Sequence, residues 1–176
     1  MLKKIGIGLV LLVLIVCGLA LTKPDTFAMK REVTINAPRE KVFALVNDFH
    51  NWGEWSPWEK LDPNMKRTYS GAPSGVGSAY EWTGNSEAGA GRMEITNSTA
   101  PSKVDIKLDF TAPFASHNIT EFTIDSTAAG THVVWDMHGP NPFMSKIMTV
   151  FVSMEKMVGP DFEKGLANMK AAAEKP

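Results

Sequence analysis

The sequence predicts an α+β fold: a curved antiparallel sheet, in β-α-α-β6-α order, wrapped around a long carboxy-terminal helix and preceded by a transmembrane helix. Three observations lead there. Lys103–Phe110 alternates Val104, Ile106, Leu108 and Phe110 with Lys103, Asp105, Lys107 and Asp109, the pattern of a strand with one buried and one wet face. Further strand-like segments flank it between residues 65 and 138, cut by Gly- and Pro-rich turns. From Asn141 to Ala173 the spacing changes to three and four residues, through Phe143, Ile147, Phe151, Met154, Val158, Phe162, Leu166 and Met169, as an amphipathic helix requires.

The first element is apolar throughout. Ile5–Leu21 carries no charged side chain, and as a helix it spans about 26 Å, slightly short of the ~30 Å hydrocarbon core of a bilayer. Lys3 and Lys4 can snorkel to the headgroups and make up the difference. Gly18-Leu19-Ala20 also suits a signal-peptide cleavage site, but the apolar run is longer than a usual signal core and favours an uncleaved anchor. Val16 before Cys17 argues against a lipidated cysteine, so Cys17 is expected to face lipid as a small apolar group. The expected division is an anchor over residues 1–22, a linker over 23–28 and one domain over 29–176. A single pass through residues 5–21 with the short basic terminus inside puts the domain on the extracytoplasmic side.

Within the domain, REVTINAP alternates and then stops at Ala37-Pro38, a strand followed by a helix start. Val42, Phe43, Leu45 and Val46 recur at helical spacing, so a short helix follows. In NWGEWSPW, Gly53 and Pro57 prevent one regular helix. Strands are then expected over Met65–Ser70, Ser78–Thr83, Arg92–Asn97, Lys103–Phe110, His117–Ile124 and Thr131–His138, and the last helix is expected to bend at Gly159-Pro160. A single antiparallel sheet buries one face and needs a cover, and only the final helix is long enough to supply one. A ligand cavity belongs where sheet and helix diverge.

Charge and motifs exclude several function classes. From Met29 onward there are 15 Lys and Arg against 18 Asp and Glu, which is no footprint for nucleic acid. The lone cysteine rules out an intramolecular disulfide. GxSxG, Walker A, dinucleotide and CxxC patterns are absent, and His50, His117, His132 and His138 form no helical metal motif, so neither a cofactor nor a metal is expected. His132, Asp136 and His138 share a strand face, but Val133, Trp135 and Met137 make the opposite face the buried one.

If the 83–91 loop closes a symmetric hairpin, Glu81 faces Arg92, Tyr80 faces Met93, and Trp82 faces Gly91, whose missing side chain leaves room for the indole. An ordinary surface ion pair is the first reading of Glu81 with Arg92, and an ionic group at the cavity mouth that binds a polar ligand head is the functional one. Tyr80, Glu81, Arg92 and Glu94 are the polar candidates if the domain is a cyclase or dehydratase.

INAPREKVFALVNDFHNWGEWSPW, TYSGAPSGVGSAYEWTGN with GAGRMEI after it, and the closing DFEKGLANMK together resemble the SRPBCC superfamily, in particular its polyketide cyclase/dehydrase branch among the START-like and Bet v 1-like helix-grip proteins. The resemblance runs over roughly residues 30–172. It implies a deep, mostly apolar cavity used across the superfamily for lipids, sterols, polyketides and other hydrophobic molecules, and it implies no single reaction.

The lining is then expected from Trp52, Trp55 and Trp58 at the corner after the first helix, from Tyr80, Trp82 and Met93, and from Ile106, Leu108 and Phe110. Trp135 and Met137, with Met148 and Phe151 of the last helix, complete it. The three clustered tryptophans serve either as packing alone or as packing and gate. The leading expectation is a membrane-tethered domain that binds a hydrophobic small molecule, a lipid, isoprenoid or polyketide-like compound. A polyketide cyclase or dehydratase and a protein-interaction module are the alternatives.

Overall fold

The computed structural model describes residues 2–175. Helix α1 (Leu2–Leu21) precedes β1 (Thr26–Ile35) and α2 (Arg39–Asn47). Two short 3₁₀ turns, Phe49–Glu54 and Pro57–Lys60, carry the tryptophan cluster. Six strands follow: β2 (Lys66–Gly71), β3 (Ser78–Thr83), β4 (Ala90–Thr99), β5 (Lys103–Ala112), β6 (Ser116–Thr127) and β7 (Gly130–Pro140). Helices α3 (Phe143–Phe151) and α4 (Met154–Ala173) close the chain.

All seven strands form one antiparallel sheet in the order β1-β7-β6-β5-β4-β3-β2, so the first strand closes against the last. Register shifts in β4 between Ala90 and Gly91 and between Ile95 and Asn97 add the local twist that bends the sheet. Its concave face buries Val104, Ile106 and Leu108 of β5, Phe122 and Ile124 of β6, and Val133, Trp135 and Met137 of β7. Across it lies α4, which contributes Phe162, Leu166 and Met169. This is the helix-grip arrangement.

Close approach of α4 depends on Gly165, because a Cβ there would stand 2.9 Å from the Trp135 ring and 3.3 Å from Pro57. The polar flank of α4 is tied to β1: Arg31 pairs with Glu155 and, at 3.1 Å, with Glu163, and Lys170 Nζ donates to the Thr34 carbonyl at 2.8 Å.

Strand ends lie within three residues of the sequence expectation, and two larger differences bear on the site. The last helix is two helices, with a break at Val152-Ser153 that the apolar spacing did not announce. Val152 is extended, and Ser153 Oγ accepts the Lys156 N–H at 3.3 Å, so a serine cap starts a new helix in the middle of an unbroken apolar spacing. Pro160 is carried inside α4. At the other end, β1 begins at Thr26, inside the stretch set aside as linker, because Thr26 and Phe27 pair with Pro140 and Gly139 at the end of β7.

Candidate functional site

Between sheet and α4 the core opens into a cavity of about 260 Å³, near the lower bound of roughly 300 Å³ for small-molecule pockets. Strand alternation supplies one wall, with Tyr80 and Trp82 of β3, Met93 of β4, Leu108 and Phe110 of β5, and Trp135 and Met137 of β7. The 3₁₀ turns contribute Trp52 and Trp58, and α4 contributes Met154, Val158 and Phe162. Edge-to-face contacts hold these rings in place: Trp58 meets Trp135 at 5.7 Å and Phe162 at 5.9 Å, and Trp82 meets Phe110 at 5.6 Å.

One carboxylate enters this apolar wall. Glu59, in the second 3₁₀ turn, has a side chain only 9% exposed. Its Oε1 accepts the Tyr80 hydroxyl at 2.6 Å, and its Oε2 accepts Arg67 Nε at 2.7 Å. The Arg67 guanidinium also donates to the Glu59 and Met65 carbonyls at 2.8 and 2.9 Å, so it clamps the turn that presents the carboxylate. With Arg67 on one side and Tyr80 donating from another, the groups still open to a ligand are oxygen lone pairs. This end of the cavity therefore accepts hydrogen bonds.

Burial, then the hydrogen bond to Glu59, pushes the Tyr80 phenol far above its ordinary range. Partial burial shifts Tyr69 in the same direction. A phenol whose folded-state pKa exceeds the unfolded value of about 10 contributes stability that is complete below that pH and lost as pH rises toward the folded-state value. An alkaline titration followed by phenolate absorbance is expected to show that one of the two phenols ionises only together with unfolding. Ionisation of both phenols with the fold intact would contradict this placement of Tyr80.

The other sequence-predicted residues fall in three places. Glu81, Arg92 and Glu94 lie on the outer face, since the observed register sets Tyr80 opposite Met93 and Trp82 opposite Gly91 on the inner one. Arg92 donates there to Glu81 at 3.2 Å and to Glu94 at 2.5 Å, a solvent-facing ion triad away from the cavity. His132, Asp136 and His138 also take the outer face of β7, alternating with buried Val133, Trp135 and Met137.

Trp55 and Ile106 are fully buried in packing behind the cavity and do not line it; the Trp55 indole N–H donates to the Leu45 carbonyl at 2.9 Å. Met148 and Phe151 are exposed on α3, because the chain breaks after them and only α4 covers the sheet.

Glu59 and Arg67 were not singled out from the sequence. The available signal was the alternation of β2, which puts Arg67 and Tyr69 in register with Trp82 and Tyr80 on the cavity face.

A family model described as polyketide cyclase / dehydrase and lipid transport matches residues 26–174. No curated protein matches the chain. Among solved structures, the di-domain ARO/CYC BexL from the BE-7585A biosynthetic pathway superposes with a TM-score of 0.63 at 13% identity, over 90% of this chain and 53% of that one. Major latex-like protein 151 from Panax ginseng gives 0.61 at 13% identity, over 86% and 100%. Protein CV1439 from Chromobacterium violaceum gives 0.58 at 15%, over 87% and 100%. At these identities the likeness is one of fold.

Proposed function

Because the chain belongs to the polyketide cyclase / dehydrase and lipid transport family, we propose that it is a membrane-tethered domain that binds an apolar small molecule carrying a hydroxyl or other hydrogen-bond donor. Family and fold support a hydrophobic ligand-binding domain. The observation that carries the finer reading is a cavity wall that is apolar apart from small polar side chains and the Glu59–Tyr80 acceptor. A long hydrocarbon or isoprenoid alcohol fits both properties, with the chain against the rings and the hydroxyl at Glu59. Helix α1 supports the tether, being long and apolar enough to cross a membrane and almost wholly exposed.

The test is mass spectrometry of extracts from the full-length chain purified in detergent, beside Leu108→Trp, whose larger side chain fills the cavity. A hydroxylated apolar molecule that accompanies the wild type and is lost from the variant is the expected result. Identical extracts from the two proteins would sink the reading, because lipid clinging to α1 is common to both.

A cyclase or dehydratase reading draws on the same pair, since an adjoining carboxylate and phenol can serve as base and acid. Arg67 already engages one carboxylate oxygen and Tyr80 the other, which leaves the pair better arranged to hold a ligand than to take its proton.

A further inference from the structure

Pro140, Asn141, Pro142 and Ser145 line the cavity at one end of the sheet, and Pro140 and Pro142 are exposed there, so we take that end as its mouth. Register puts the start of β1 at the same end, with Thr26 opposite Pro140, and the β5–β6 turn as well, with Phe110 opposite Ser116. Helix α1 stops at Leu21, and only residues 22–25 separate it from Thr26. A stretch of that length reaches at most about 17 Å. Whatever surface holds the end of α1 therefore also holds the mouth of the cavity close by.

Helix α3 stands at that end and packs on α1. The part of α1 that loses exposure is its carboxy-terminal end, where Ala20 is buried and Val16 and Cys17 are half-buried. The free surface of α3 is bare and apolar: Phe143, Met144, Met148 and Phe151 are between 39% and 71% exposed. Phe114, on the β5–β6 turn at the same end, is 51% exposed. The only charge on α3, Lys146, is buried and paired with Asp25. The outer face of the sheet has the opposite character and is covered by ion pairs such as Lys103 with Glu121 and Lys107 with Asp109. An apolar helix with no exposed charge, beside the end of an apolar span, matches the chemistry of a bilayer interface.

We propose that the domain sits mouth-down on the bilayer that holds α1, with α3 and Phe114 sunk at headgroup depth, so that ligand passes between that bilayer and the cavity without crossing water. This rests on the reading of α1 as a tether and of the cavity as a ligand site. The short linker keeps the mouth at high effective concentration over one membrane. The ligand is then a resident of that membrane and not a solute delivered from water.

The experiment uses the full-length chain reconstituted in phosphatidylcholine–phosphatidylglycerol vesicles, with Cys17→Ser as background. Spin labels are attached through Met148→Cys, Phe151→Cys and Phe114→Cys, each in its own variant, and through Lys107→Cys on the outer sheet as the aqueous reference. Expected is a loss of relaxation by a water-soluble nickel chelate at 114, 148 and 151 relative to 107, with a gain of relaxation by bilayer-soluble oxygen. Equal nickel access at all four positions would overturn the proposal, as would release of the chain from the vesicles by alkaline carbonate. Loss of nickel access accompanied by dipolar broadening between labels would assign the face to a second copy of the chain and overturn it too. Failure of the ligand reading is separate, since it would leave the label depths as expected and remove only the extracted molecule.

Discussion

Replacing Trp135 by Ala is expected to destabilise the domain by about 3–5 kcal/mol, the usual cost of deleting a large aromatic side chain from a core. Trp135 is where the three layers of the fold meet. Its ring stacks on Phe162 of α4 at a centroid distance of 4.1 Å and on Phe122 of β6 at 5.0 Å. It also meets Trp55 at 5.4 Å and Trp58 at 5.7 Å, the two tryptophans of the corner that follow Gly53. Gly165 exists at the one point where α4 must press on this ring. Removing the indole therefore loosens helix, corner and sheet at once, and the void merges with the existing cavity. Chemical denaturation of the detergent-solubilised full-length chain measures the effect as a lower midpoint. A midpoint within error of the wild type would show that α4 is not held through Trp135.

Why this residue was legible from the sequence, and Glu59 was not, follows from where each gets its environment. Strand alternation is local: Val133, Trp135 and Met137 declare the buried face of β7 by their spacing alone, and the turn between β3 and β4 sets Trp82 against Gly91 by counting. Even the room at Gly91 is there, since a Cβ would lie 2.4 Å from the Trp82 ring. Glu59 has no such local marker. Its partners Arg67 and Tyr80 stand 8 and 21 residues away on two other elements, and only the folded sheet brings them to the turn.

The division of the last helix escaped for a related reason. The apolar spacing passes straight through Val152-Ser153, while the cap at Ser153 is a single side chain whose effect depends on backbone conformation. That one break moved Met148 and Phe151 from the expected cavity wall to the exposed surface of α3. It also created the exposed apolar end of the domain beside α1.

At Glu59 itself, substitution by Gln is expected to weaken binding of a hydroxylated ligand by ~10–100-fold, because a hydrogen bond to a charged acceptor contributes about 1.5–3 kcal/mol. The expected change is one of preference as well as strength. Arg67 must keep an oxygen partner, so the Gln amide turns its carbonyl toward the guanidinium and its NH₂ toward Tyr80. The phenol oxygen then accepts from the amide, and its own O–H is released toward the cavity. The site that accepted hydrogen bonds now donates one.

A long-chain primary alcohol and the methyl ketone of equal length separate the two states, since only the alcohol donates and both bury the same hydrocarbon. Displacement of the dye N-phenyl-1-naphthylamine from the full-length chain provides the measurement, with an alkane of the same length as a control for the apolar wall. The wild type is expected to favour the alcohol, and Glu59→Gln to lose that preference or reverse it toward the ketone while binding the alkane as before. Equal affinity for alcohol and ketone in the wild type would remove Glu59 from ligand recognition. It would then be only the counter-ion that seats Arg67 against the turn.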